Sequence, residues 1–79
     1  MNNTEKLYSA FSEALNIGIE QVTDGLKYQS IPQWDSISHM VLISTLEEKF
    51  DISLATDDVI DMSSVGKAKE ILGKYNITF

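Results

Sequence analysis

Residues 34–50 read WDSISHMVLISTLEEKF, a stretch without glycine or proline that predicts an amphipathic helix from Ser36 to about Phe50. At about 100° per residue, one arc of that helix collects the side chains of His39, Leu42, Ile43, Leu46 and Phe50. We expect this arc to face the core, because a helix lying on a core needs only one apolar face.

The same helix carries a second apolar set on its other side. Ile37, Met40 and Val41 fall there together with Glu47 and Glu48. These three apolar residues, called the apolar patch below, are either partly covered by the preceding loop, exposed without a function as scattered apolar residues often are, or exposed as a surface that partner proteins bind. An adaptable methionine at the centre of the patch favours the partner-binding interpretation.

Ser36 lies at the start of this helix, directly after Asp35. A serine beside an aspartate at a helix start is most often an N-cap, which accepts hydrogen bonds from free backbone N–H groups. Here Asp35 can cap the helix, so that the Ser36 hydroxyl points outward. The positive end of the helix would then favour a phosphate ester on that oxygen.

The rest of the sequence predicts an all-α four-helix bundle with a long first loop and a short third helix. We expect helices at about residues 3–16, 57–62 and 64–75, in addition to the one at Ser36. Asn2 with Glu5 predicts the first N-cap, Gly18 a helix stop and Thr56 the cap of the third helix. The apolar side chains of loop 17–35 predict that it lies across the helices, with a short helical turn within it.

Composition narrows the function classes. The 79 residues include no cysteine and no arginine, and the net charge is −6. We expect one domain spanning residues 1–79, a monomer in the cytoplasm with no secretory signal, no membrane span and no metal site. Nucleic-acid binding is disfavoured because the acidic chain would repel a phosphate backbone. An acidic surface favours basic patches on other proteins.

The sequence resembles the acyl carrier protein family over essentially its whole length. Asp35-Ser36-Ile37 matches the family's attachment motif. In the helix that follows the motif, the matching residues are Leu42, Leu46, Glu47, Glu48 and Phe50. The acidic start of the short third helix is matched by Asp57-Asp58, and the entry to the last helix by Ser63-Ser64-Val65. The order and spacing of these segments agree throughout.

The resemblance implies a stand-alone carrier and not an enzyme. A phosphopantetheinyl transferase would attach the 4'-phosphopantetheine arm of coenzyme A to Ser36. The arm's thiol would hold acyl or aminoacyl groups as thioesters, and loading and synthase enzymes would bind Asp35 and the apolar patch with Glu47 and Glu48. The family also buries fatty chains between its helices, which implies that this core can open.

Two departures indicate a specialised pathway. Housekeeping fatty-acid carriers usually have acids where this chain has Ser38 and Val41, and a glycine-containing approach where it has Gln33-Trp34. A tryptophan before Asp-Ser looks more like carriers of polyketide, nonribosomal-peptide or surface-glycan pathways. A housekeeping fatty-acid carrier and an unmodified helical interaction module remain the alternatives.

Two further interpretations lack necessary parts. A Ser36–His39 hydrolase would need the histidine on the serine's side, whereas His39 falls on the core arc. A calcium site built from Asp51, Ser53 and the aspartates that follow lacks the central glycine and the final glutamate of an EF-hand.

Overall fold

The computed structural model describes residues 2–79. Within that range lie α1 (Asn3–Leu15), α2 (Ser36–Phe50), α3 (Thr56–Asp61) and α4 (Val65–Gly73), with a short 3-10 helix at Ile19–Gln21. The only β pairing in the described residues is an isolated bridge between Lys27 and Ser64. The predicted all-α fold, with its long first loop, the helical turn inside that loop and the short third helix, is confirmed.

The two ends of α1 show one correct and one wrong prediction. Its start is capped as expected, since the side chain of Asn2 accepts a hydrogen bond from the Glu5 backbone at 2.8 Å. Its end comes before Gly18, because Asn16 adopts a left-handed conformation with φ of 55° and donates its backbone N–H to Ser12. Asparagine tolerates that conformation better than most residues, so no glycine is needed to stop the helix.

The last two helices also differ from expectation at their boundaries. The N-cap of α3 is Ala55, without a side-chain bond, so the prediction that Thr56 caps this helix is wrong. Thr56 instead occupies the first turn. Ser64 caps α4 by accepting from Lys67 at 3.0 Å, and the helix ends at Gly73 rather than at Tyr75. A glycine there lowers the helical propensity of the last turn.

The core lies between the helices and beneath the first loop. Its buried side chains from the helices are Leu7, Ala10, Phe11, Leu15, Leu42, Ile43, Leu46, Val65, Ala68, Ile71 and Leu72. The loop contributes the buried side chains of Ile17, Val22, Leu26 and Trp34, which confirms that it packs across the bundle. Of the arc predicted on α2, the three aliphatic residues are buried and His39 and Phe50 are half-buried.

Two polar networks hold the loop and α3 against the helices. Asp24 in the loop accepts from Tyr8 at 2.8 Å and pairs with Lys69 at 2.9 Å. The buried carboxylate of Asp58 in α3 accepts from Lys74 and from the Tyr75 hydroxyl, each at 2.5 Å. In each network the lysine hydrogen bond, followed by that of the tyrosine, lowers the pKa of the carboxyl below its ordinary value.

Candidate functional site

The N-cap of α2 is Asp35, and the Ser36 side chain does not cap the helix. Asp35 Oδ1 accepts from the backbone N–H groups of Ile37 at 3.1 Å and Ser38 at 2.9 Å. The Ser38 hydroxyl in turn accepts from the Asp35 backbone at 2.9 Å, which completes a capping box. The hydrogen bond from the Ser38 backbone is the main reason why the pKa of the Asp35 carboxyl lies below its ordinary value.

The hydroxyl of Ser36 is exposed and meets a tyrosine from the first loop. Ser36 Oγ lies 3.0 Å from the hydroxyl oxygen of Tyr28, and either atom can donate the hydrogen. In the sequence, Tyr28 is one of the apolar side chains of loop 17–35 that are expected to pack across the helices. No local signal could have found this contact, because it depends on how the intervening turn folds back onto the helix start.

His39 is held between the loop and α3. The indole Nε1–H of Trp34 donates to His39 Nδ1 at 3.0 Å, and His39 Nε2 lies 2.9 Å from the carbonyl oxygen of Val59. An indole N–H only donates and a carbonyl only accepts, so Nε2 carries the ring proton. We call this Trp34–His39–Val59 chain the indole bridge. Both ring nitrogens are occupied, and neither is bonded to Ser36, so no hydrolytic pair forms.

The apolar patch is exposed rather than covered by the loop. Ile37, Met40 and Val41 are 78%, 60% and 49% exposed. Sequence reasoning missed Ile60 on α3, which is 73% exposed. The available signal was the adjacent pair Val59-Ile60, since neighbouring residues of a helix point in different directions.

The two glutamates predicted at the edge of the patch have different surroundings. Glu47 is half-buried, and its Oε2 accepts from the Leu54 backbone at 2.8 Å. This bond ties the segment after α2 back onto the helix. Glu48 is exposed, one residue further along. The carboxylate of Glu48 is therefore accessible to a partner protein, whereas that of Glu47 is already bonded to the Leu54 backbone.

A small pocket opens between the loop, α2 and α3. It measures ≈ 210 Å³ and is lined by Tyr28, His39, Val59, Ile60, Met62 and Ser63. Tyr28 belongs both to this pocket and to the contact with Ser36. The lining is mostly apolar, with the tyrosine, histidine and serine side chains as its polar groups.

Among the described residues, the side chain hydrogen-bonded to Ser36 Oγ is that of Tyr28, and no histidine or carboxylate bonds to this oxygen. Asp35 Oδ1 is occupied by two backbone donors, and His39 is occupied by the indole bridge. Activation of a serine nucleophile needs a base within hydrogen-bond reach, and a tyrosine hydroxyl is a weak base near neutral pH. The arrangement leaves the Ser36 hydroxyl exposed at the start of α2.

Among residues 2–79, no cluster of three or more His, Asp or Glu side chains is arranged to hold a metal ion. Asp58, one of the aspartates considered for calcium, is bonded to Lys74 and Tyr75. No helix in the same range is both long and apolar enough to cross a membrane.

Fold and site together define a small helical protein in which an exposed serine hydroxyl lies at the start of a helix. The chain is 30% identical over 77 residues to the acyl carrier protein of Buchnera aphidicola subsp. Schizaphis graminum, across 96% of this chain and 98% of that protein. It is also 30% identical over 70 residues to the acyl carrier protein of Lactobacillus johnsonii, across 89% and 88% of the two chains. No protein-family model matches the sequence.

The chain therefore belongs to the acyl carrier protein family. Membership makes it a carrier protein rather than an enzyme.

Proposed function

We propose that this carrier holds acyl or aminoacyl intermediates as thioesters on a 4'-phosphopantetheine arm attached to Ser36. The proposal rests on the start of α2, where Asp35 accepts hydrogen bonds from the free backbone N–H groups and the hydroxyl of Ser36 stays exposed. That hydroxyl fits the group, since a phosphodiester there is exposed to water and lies at the positive end of a helix. When bound, the arm supplies the thiol that carries the cargo.

The chemistry of attachment has to come from a phosphopantetheinyl transferase. A bond forms between Ser36 Oγ and a phosphorus of coenzyme A, adenosine bisphosphate leaves, and the hydroxyl proton must be taken up. Ser36 Oγ is hydrogen-bonded to the Tyr28 hydroxyl rather than to a histidine or a carboxylate, which supports assigning that proton transfer to the transferase. The protein's own contribution is to keep the oxygen accessible at a rigid helix start.

The partner enzymes are proposed to bind the apolar patch together with Asp35, Glu47 and Glu48. Exposure of Ile37, Met40 and Val41 close to Ser36 in the chain supports this surface. Apolar contacts would supply affinity, and Glu48 at the edge would pair with basic side chains of the partner. The negative charge of the chain, −6, favours partners with basic surfaces.

We infer that these partners belong to a specialised pathway rather than to housekeeping fatty-acid synthesis. Val41 is half exposed, and Ser38 is committed to the capping box. Neither position supplies the negative charge that the resemblance leads one to expect in a housekeeping carrier. The cytoplasmic location and the monomeric state stay predictions.

The test is intact mass after incubation with coenzyme A and a broad-range transferase. Wild type should gain the mass of one arm, whereas Ser36→Ala should gain none. Ser44→Ala, which removes another exposed serine of α2, is the matched control and should be modified like wild type. An arm attached to Ser36→Ala would refute the assignment, and unmodified wild type would favour the helical interaction module.

A further inference from the structure

We propose that the Tyr28 hydroxyl is the hydrogen-bond donor that holds the phosphodiester of the arm once Ser36 is modified. The inference rests on the proposed function, and it assigns Tyr28 as a positioning residue. Its basis is the 3.0 Å contact between the Tyr28 hydroxyl and Ser36 Oγ, the atom to which the arm would be joined.

Tyr28 is held in place from several directions. Its backbone N–H donates to the carbonyl of Ser63 at 2.9 Å, which ties it to the segment before α4. Its ring meets the ring of His39 at 5.3 Å and the buried Trp34 edge-on at 6.1 Å between centroids. A ring fixed by packing and a backbone bond holds its hydroxyl at a set position, as a preorganised donor requires.

The chemistry of modification decides the direction of the hydrogen bond. In the unmodified protein either hydroxyl can donate. Esterification removes the proton from Ser36 Oγ, so Tyr28 is then the partner with a proton to give. A phosphodiester is an anion, and a hydrogen bond to a charged acceptor is stronger than one between neutral groups. After modification, the Tyr28 hydroxyl should therefore always donate and the phosphodiester should accept.

The position of Tyr28 also sets where the arm begins its path. The same side chain lines the pocket of ≈ 210 Å³ between the loop, α2 and α3. A phosphate bonded to Tyr28 would lie next to a side chain that lines the pocket, and this bond would restrict its motion. The donor would therefore reduce the arm's motion at its root.

The experiment compares the phosphorus NMR signal of three modified proteins: wild type, Tyr28→Phe and Tyr8→Phe. The first variant keeps the ring and removes the hydroxyl. Tyr8 is the matched control, since its hydroxyl bonds Asp24 and Lys69 and not Ser36. We expect the phosphodiester resonance to shift and narrow in Tyr28→Phe, and to coincide with wild type in Tyr8→Phe.

A second measurement covers the case in which Tyr28→Phe fails to fold. In wild type with labelled tyrosine, the carbon signal next to the Tyr28 hydroxyl should move when the arm is attached, and those of Tyr8 and Tyr75 should not. One phosphorus signal common to all three proteins, or a Tyr28 carbon signal unmoved by modification, would overturn the role of Tyr28 and leave the carrier function standing. Wild type that takes no arm at all would overturn both.

Discussion

The substitution Trp34→Phe should destabilise the protein by several times as much as a typical surface substitution, because it breaks the indole bridge and removes part of a buried ring. Trp34 is fully buried, and its ring meets Phe11 edge-on at 5.3 Å and stacks on His39 at 6.1 Å. Phenylalanine keeps an aromatic ring at the site, but it removes the indole N–H that donates to His39 Nδ1 at 3.0 Å. It also leaves unfilled space where the larger ring was.

The magnitude follows from those two losses. A net intramolecular hydrogen bond contributes about 1 kcal/mol. Partial truncation of a fully buried ring costs about 1–2 kcal/mol, between the values for one methyl group and for a whole large side chain. Their sum of about 2–3 kcal/mol corresponds to a fall in Tm of about 10–20 °C for a domain of this size.

The assay is urea unfolding followed by circular dichroism, arranged as a double-mutant cycle with His39→Leu. If the bridge bond exists, the two substitutions should be non-additive by about 1 kcal/mol. Asn2→Ala is the control partner, because the Asn2 cap shares no contact with Trp34, and that pair should be additive. A cost of Trp34→Phe below about 0.5 kcal/mol, or no coupling to His39, would refute the reasoning.

Three other predictions concern charge and partner choice. Val41→Glu should leave the fold intact, because Val41 is half exposed. The holo-variant should be a better substrate than wild type for a fatty-acid ketosynthase and a poorer substrate for the loading enzyme of its own pathway. If wild type already serves the ketosynthase as well as a housekeeping carrier does, the specialised role is contradicted. The pKa of Asp58 is lowered, so the stability from its pair with Lys74 should be complete above about pH 4 and be lost as the pH falls through the lowered pKa. Between pH 6 and pH 3, Tm should fall less steeply in Asp58→Asn than in wild type or in the exposed control Asp57→Asn. Equal slopes in the three proteins would show that this pair does not stabilise the fold. Millimolar divalent cations or added salt should raise Tm by relieving repulsion among the neighbouring carboxylates of Glu47, Glu48, Asp51, Asp57 and Asp61, whereas Asp58 is already paired with Lys74. A flat response to both titrations would show that this repulsion is absent.

The sequence predicted the helices and the serine's position because those features depend on local chemistry. Apolar spacing placed the core arc of α2, and an aspartate before a serine predicted which side chain would cap. Spacing also placed the apolar patch outside the core arc, but it left open whether the preceding loop covers the patch, and the structure shows that the patch is exposed.

The remaining features depend on contacts between distant residues, which spacing does not reveal. Asp58 lies in the first turn of a short helix, and its burial depends on Lys74 and Tyr75, which follow α4 in the chain and donate hydrogen bonds to its carboxylate. The contact of Tyr28 with Ser36 likewise depends on a turn in which Gln29 adopts a positive φ of 64° and its N–H bonds to Trp34. Neither arrangement has a local sequence signal.

The most direct test of the account is the mass of the Ser36-containing peptide from protein recovered from its own cells. The account predicts one phosphopantetheine arm on Ser36, with part of the population carrying a further group that hydroxylamine releases, as it does from thioesters. The mass of that released group would also identify the cargo. An arm on any other residue, or only unmodified Ser36 peptide, would contradict the claim that Ser36 carries the intermediates.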